Sequence, residues 1–99
     1  MFVTTEPAAL TAAAAGLQGI GATVTAGNAA AVAPTTAPLS PAPTDPVSDV
    51  LEAFFVAHAA MYQGFAAEAA VVHEMFVTTM GVSSGSYMAT EAANTLAAI

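Results

Sequence analysis

Large apolar residues recur at helical intervals in two stretches of this chain, with a proline-rich stretch between them. In the first, Leu10, Leu17, Ile20 and Val24 stand among small residues, with Ala13, Ala14 and Gly21 between them. The spacing is heptad-like. At about 100° per residue, the four large side chains occupy roughly 80° of a helix. Pro7 fits the first turn of such a helix, and Glu6 places negative charge at its N-terminus. The pattern predicts a helix over residues 7–33.

Pro34, Pro38, Pro41 and Pro43 rule out a helix or central strand over residues 34–44. They predict a stiff connector that turns the chain back. Asp45 is a suitable N-cap, Pro46 suits the first helical position, and Asp49 and Glu52 favour the positive end of the helix dipole. A second helix is expected from residue 45 to about 80, with Gly81 as its stop. Its large residues run from Val47 to Met80 and spread over roughly 160° of the helix. Residues 81–99 form a Ser/Gly-rich and then Ala-rich tail, either weakly helical from about Ser86 or unstructured until bound.

The two arcs do not match. A face of roughly 160° needs more than one neighbour, and the first helix offers a seam about half as wide. The expected fold is all-α: a two-helix antiparallel hairpin that completes a four-helix bundle with a partner. The expected partner interface comprises Leu10, Leu17, Ile20, Val24, Leu51, Phe54, Phe55, His58, Met61, Tyr62, Phe65, Val72 and Phe76. Self-pairing would also bury this surface, but it opposes two chains of the same charge.

Composition narrows the partner. The 99 residues include no Lys or Arg, and the net charge is −7. Phosphate neutralisation needs cations, so nucleic acid is excluded, and anionic lipid headgroups are not attracted. The absence of Cys excludes disulfides and thiolate metal sites. The uncharged run from Ala8 to Ala33 is long enough to span a bilayer. However, it carries Thr11, Gln18, Thr23, Thr25 and Asn28 and lacks aromatic or basic anchors, so insertion is not the leading expectation.

No catalytic or cofactor constellation emerges. Gly81-Val82-Ser83-Ser84-Gly85 matches G-x-S-x-G, but a nucleophile elbow needs a strand-to-helix turn above a parallel sheet. Here a helix precedes it, and it reads as a helix stop followed by a loop. The glycines from Gly16 to Gly21 lack the dinucleotide-binding spacing and a preceding strand. His58 lies within the apolar arc and His73 at its edge, about 22 Å apart along a helix, too far for one metal ion. Neither a metal nor a cofactor is expected. Glu68 projects into the arc on its Met61 and Met75 side, where it is either at the rim or bonded to a donor on the partner, and almost any cation facing it must come from outside. Tyr87 and Glu91 would share a face if the tail is helical. Spacing alone gives that pair no role.

Several blocks in order carry a family resemblance. They are Phe2-Val3-Thr4-Thr5, Leu17-Gln18-Gly19-Ile20-Gly21, Asn28-Ala29-Ala30-Ala31 and Ala33-Pro34-Thr35-Thr36. Further along come Val47-Ser48, Ala57-His58-Ala59-Ala60-Met61-Tyr62-Gln63 and His73-Glu74-Met75-Phe76-Val77. The last are Ser83-Ser84-Gly85-Ser86-Tyr87 and Ala89-Thr90-Glu91-Ala92-Ala93-Asn94. With these the chain resembles the mycobacterial PE family over nearly its full length. The resemblance implies a non-enzymatic interaction protein, exported by type VII (ESX) secretion to the medium or the cell envelope. It implies pairing with two helices of a PPE protein, with an EspG-type chaperone gripping that partner. It also implies that Tyr87 and Glu91 form the family's Tyr-x-x-x-acid export signal.

There are departures. Pro7 is followed by Ala8, and the acidic residue of the family's Pro-Glu precedes it as Glu6. Asp45-Pro46 stands where Asp-Glu is common, and Phe54-Phe55 is bulkier than usual. A stand-alone PE protein is expected, since no repeat or further domain follows Ile99. The competing expectation is a membrane- or envelope-inserted helical hairpin acting as a small pore component.

Overall fold

The computed structural model describes residues 3–38 and 45–99. Two helices make up nearly all of them: α1, Pro7–Thr36, and α2, Pro46–Ala97. No strand occurs among the described residues. Most of the expected connector, together with Phe2, lies outside them.

Local chemistry explains both helix starts. Pro7 needs no hydrogen-bond acceptor, and the Glu6 carbonyl receives the first amides, from Ala9 at 3.0 Å and Leu10 at 3.2 Å. Asp45 caps α2 as expected. Its Oδ1 accepts the amides of Val47 and Ser48, each at 3.0 Å, and its Oδ2 accepts the Ser48 hydroxyl at 3.1 Å. The bonds from Ser48 hold the Asp45 carboxyl below its usual range.

Both helices outrun their expected ends. α1 reaches Thr36 with Pro34 in its last turns. There the hydroxyls of Thr35 and Thr36 donate to the carbonyls of Ala31 and Val32 one turn back, adding side-chain bonds to the last turns. The stop expected at Gly81 is absent. Gly81 and Gly85 keep negative φ, and α2 continues to Ala97, so the tail expected from residue 81 is helix. Each interior Gly costs about 1 kcal/mol relative to Ala. Tertiary contacts at Ser84 and Glu91, with the Ala-rich sequence beyond, outweigh that cost.

The chain divides into two compact units, and each is an antiparallel pairing of α1 with α2. In the unit Met1–Ala22 with Val72–Ile99, Thr5 meets Glu91, Thr11 meets Ser84 and Leu17 meets His73. In the unit Thr23–Val71, Asn28 meets Tyr62 and Gln63. The hairpin expected from the sequence is thus found within each unit.

The covered positions follow a seven-residue register. On α2 they are Glu52, Val56, Ala59, Gln63 and Ala66 in one unit, and His73, Val77, Met80 and Ser84 in the other. On α1 they include Leu10, Ala14, Leu17 and Gly21 in the first unit, and Asn28 and Ala31 in the second. Alternating steps of three and four place each set on one helix face. Ile20 and Val24, expected in this seam, are exposed. The face is centred on Ala14 and Gly21, which leaves Ile20 at its rim.

The seam is held by polar anchors on main-chain carbonyls. Ser84, only 1% exposed, donates its hydroxyl to the Pro7 carbonyl at 2.7 Å. The Thr11 hydroxyl lies 2.7 Å from that of Ser84 and 3.1 Å from the same Pro7 carbonyl, so the two hydroxyls cluster on one acceptor. His73 Nε2 lies 2.7 Å from the Leu17 carbonyl, which can only accept, so that nitrogen carries the proton. Gln63 donates to the Asn28 carbonyl at 3.0 Å. Each such bond contributes about 0.5–1.5 kcal/mol net.

Gly21 makes room for one of these anchors. A Cβ there would lie 2.8 Å from Cδ2 and Nε2 of His73, whereas Gly16 has open space around it. Gly16→Ala should therefore raise the stability of the purified chain by about 0.5–1 kcal/mol in urea denaturation. Gly21→Ala should show no gain or a loss, because the imidazole must leave the Leu17 carbonyl. Equal gains from both substitutions would contradict the packing of His73.

Candidate partner interface

Because small and polar residues fill the seam, the large apolar residues of α2 point elsewhere. In the unit Thr23–Val71, Val47, Leu51, Phe54, His58, Met61, Phe65 and Glu68 follow alternating steps of four and three. That is a second heptad stripe, centred roughly 160° from the seam. All of these residues are exposed, Phe54 at 70% and Phe65 at 66%. In the other unit, Val72, Met75 and Val82 hold the same register and are also exposed. α2 is therefore two-faced, with one seam used inside each unit and a larger-residue stripe left open.

The remaining expected interface residues divide between the two faces. Leu10 and Leu17 are half-buried against α2. Tyr62 turns toward α1, its hydroxyl donating to Asn28 Oδ1 at 2.7 Å. Phe55 flanks the seam and lines an apolar cavity of about 500 Å³ with Ala31, Pro34, Val56 and Ala59. Phe76 flanks the seam in the other unit and stays exposed. His58 lies on the outer stripe with the large apolar residues of its arc, whereas His73, expected at the edge of that arc, is in the seam. The spacing of large side chains does not reveal the seam. Its signal is the recurrence of small or polar residues at Ala59, Ala66 and His73, and at Gln63 and Ser84.

Tyr87 and Glu91 lie on one face of α2, which they share with Ser84. Tyr87 borders a cavity of about 420 Å³ with Thr5, Glu6, Ala9 and Leu10. Glu91 Oε1 accepts the Thr5 hydroxyl at 3.3 Å. The pair is thus set on ordered helix beside the start of α1.

Ser83, the nucleophile position of G-x-S-x-G, lies in the interior of α2, so there is no elbow. Among the described residues, no group of His, Asp or Glu is placed to hold a metal ion.

Comparison with known proteins matches this sequence to one family. A sequence model of the PE family covers residues 3–94. PE family protein PE13 of Mycobacterium tuberculosis is 55% identical over 98% of this chain and 97% of its own length. PE8 of the same organism is 52% identical over 98% of this chain, which corresponds to 35% of PE8. PE_PGRS33 is 48% identical over 94% of this chain and 20% of its own length. With a family match across nearly every described residue and a relative of equal length at this identity, the chain belongs to the PE family.

Proposed function

We propose that this chain is a type VII secretion substrate that pairs with a PPE-family protein through the outer stripe of α2. The carrying observation is the exposure of Phe54, Met61 and Phe65 in a helix-pairing register. Burying each of these side chains yields about 1.5–3 kcal/mol. Two helices from the partner would complete a four-helix bundle, and an EspG-type chaperone would contact the partner. Tyr87 and Glu91 act as the Tyr-x-x-x-Glu export signal, and the heterodimer is delivered to the medium or the cell envelope. The family relationship supports this reading, and the ordered helical face of Tyr87 and Glu91 suits recognition by a receptor groove.

Phe65→Asp or Phe54→Asp should abolish co-purification with a PPE protein co-expressed with this chain, because each would bury an unpaired carboxylate. Unchanged yield of the complex would refute the interface. Tyr87→Ala should leave the complex intact on a sizing column yet remove the chain from the culture filtrate of a mycobacterial host. Normal export of that variant would refute the signal.

One observation favours a second reading. α1, Pro7–Thr36, is long and apolar enough to cross a membrane by length and composition. A membrane-inserted hairpin predicts that the purified chain floats with liposomes when no PPE protein is present. Recovery in the unbound fraction would reject it.

A further inference from the structure

Glu68 interrupts the outer stripe of α2 between Phe65 and the end of its unit, one heptad beyond Met61. It is exposed, and no hydrogen bond or ion pair engages it among the described residues. Its own chain has little to offer, because it contains no Lys or Arg. On an unpaired surface the carboxylate is simply hydrated. Covered by another helix, it would lose that water and weaken the pairing unless a donor replaced it.

We infer that the helix covering this stripe carries an Arg or Lys opposite Glu68, so that the acid fixes the register and orientation of the partner. The inference rests on the proposed pairing and specifies its chemistry. Charge complementarity selects the occupant. A second copy of this chain would bring −7 against −7 and could offer Glu68 only an imidazole or its N-terminal amine. A different protein with a cation among heptad apolar residues meets both demands of the stripe. Phe65 and Met61 supply the area, and Glu68 supplies the discrimination, since a helix shifted by one turn would leave two charges buried and unpaired.

Glu68→Leu separates this from a merely apolar face by the sign of its effect. The position is exposed in the free chain, so the substitution should leave its helical circular dichroism unchanged. The measurement is the affinity for a mycobacterial PPE protein that co-purifies with the wild-type chain. If no cation stands opposite, Leu removes a desolvated carboxylate and binding tightens. If a cation stands opposite, Leu strands it and binding weakens by at least about 30-fold. Glu68→Gln, which keeps an acceptor, should weaken binding less. Equal or tighter binding by Glu68→Leu, with Phe65→Asp still abolishing the complex, overturns the inference and leaves the interface standing. Indifference to Phe65→Asp overturns the interface itself. Self-association of the free chain as tight as its binding to the PPE protein also overturns the inference, because the occupant is then a second copy.

Discussion

A helix buries only the face it turns to its neighbour, and α2 turns its small one. In one unit His73 packs against Leu17 and Gly21, and in the other Ala59, Gln63 and Ala66 share the seam with Asn28 and Ala31, where large side chains would hold the helices apart. The close pairing is then locked by side chains of α2 that donate to carbonyls of α1: Ser84 to Pro7, His73 to Leu17 and Gln63 to Asn28. A main-chain carbonyl is present whatever side chain α1 carries at that position. These anchors therefore set the register without requiring α1 to contribute anything larger than Ala, which reconciles a specific pairing with an Ala-rich helix.

Everything outward follows from that choice. With the small face committed, Phe54, Met61 and Phe65 stay exposed in one unit and Met75 in the other. Among the described residues few apolar side chains are buried, chiefly Ala14, Ala59 and Val77. Such a core is slight for 99 residues, since Ala contributes little area. The polar anchors define which residues of α1 and α2 meet, but most of the apolar free energy available to this sequence lies on the face left open.

The sequence made the helix starts legible because they depend on neighbours close in the chain. Glu6 with Pro7, and Asp45 with Pro46, behave as capping chemistry dictates. The helix end at Gly81 was misread because a glycine stops a helix only when the chain gains by leaving it. Here Ser84 reaches Pro7 and Thr11, contacts more than seventy positions away in sequence that no local pattern contains. The surplus of apolar surface was legible from the width of the α2 arc. Which part of the arc α1 would take was not. Counting large side chains assigns the seam to the wrong residues when the helices pair through small ones, and this also set His73 at the edge of the arc rather than in the seam.

The continuation of α2 past Gly81 changes the meaning of its last turns. A tail that folds only on recognition would lose binding free energy to ordering. Here Tyr87 and Glu91 are already four residues apart on a formed helix, beside the first turn of α1. The Thr5 hydroxyl holds Glu91 from the N-terminal side, so both ends of the chain shape this one surface. Within their unit they share the Ser84 face, a different side of the helix from the exposed Met75 and Val82. A helix laid over Met75 and Val82 need not cover Tyr87 or Glu91, so this unit offers two separate surfaces.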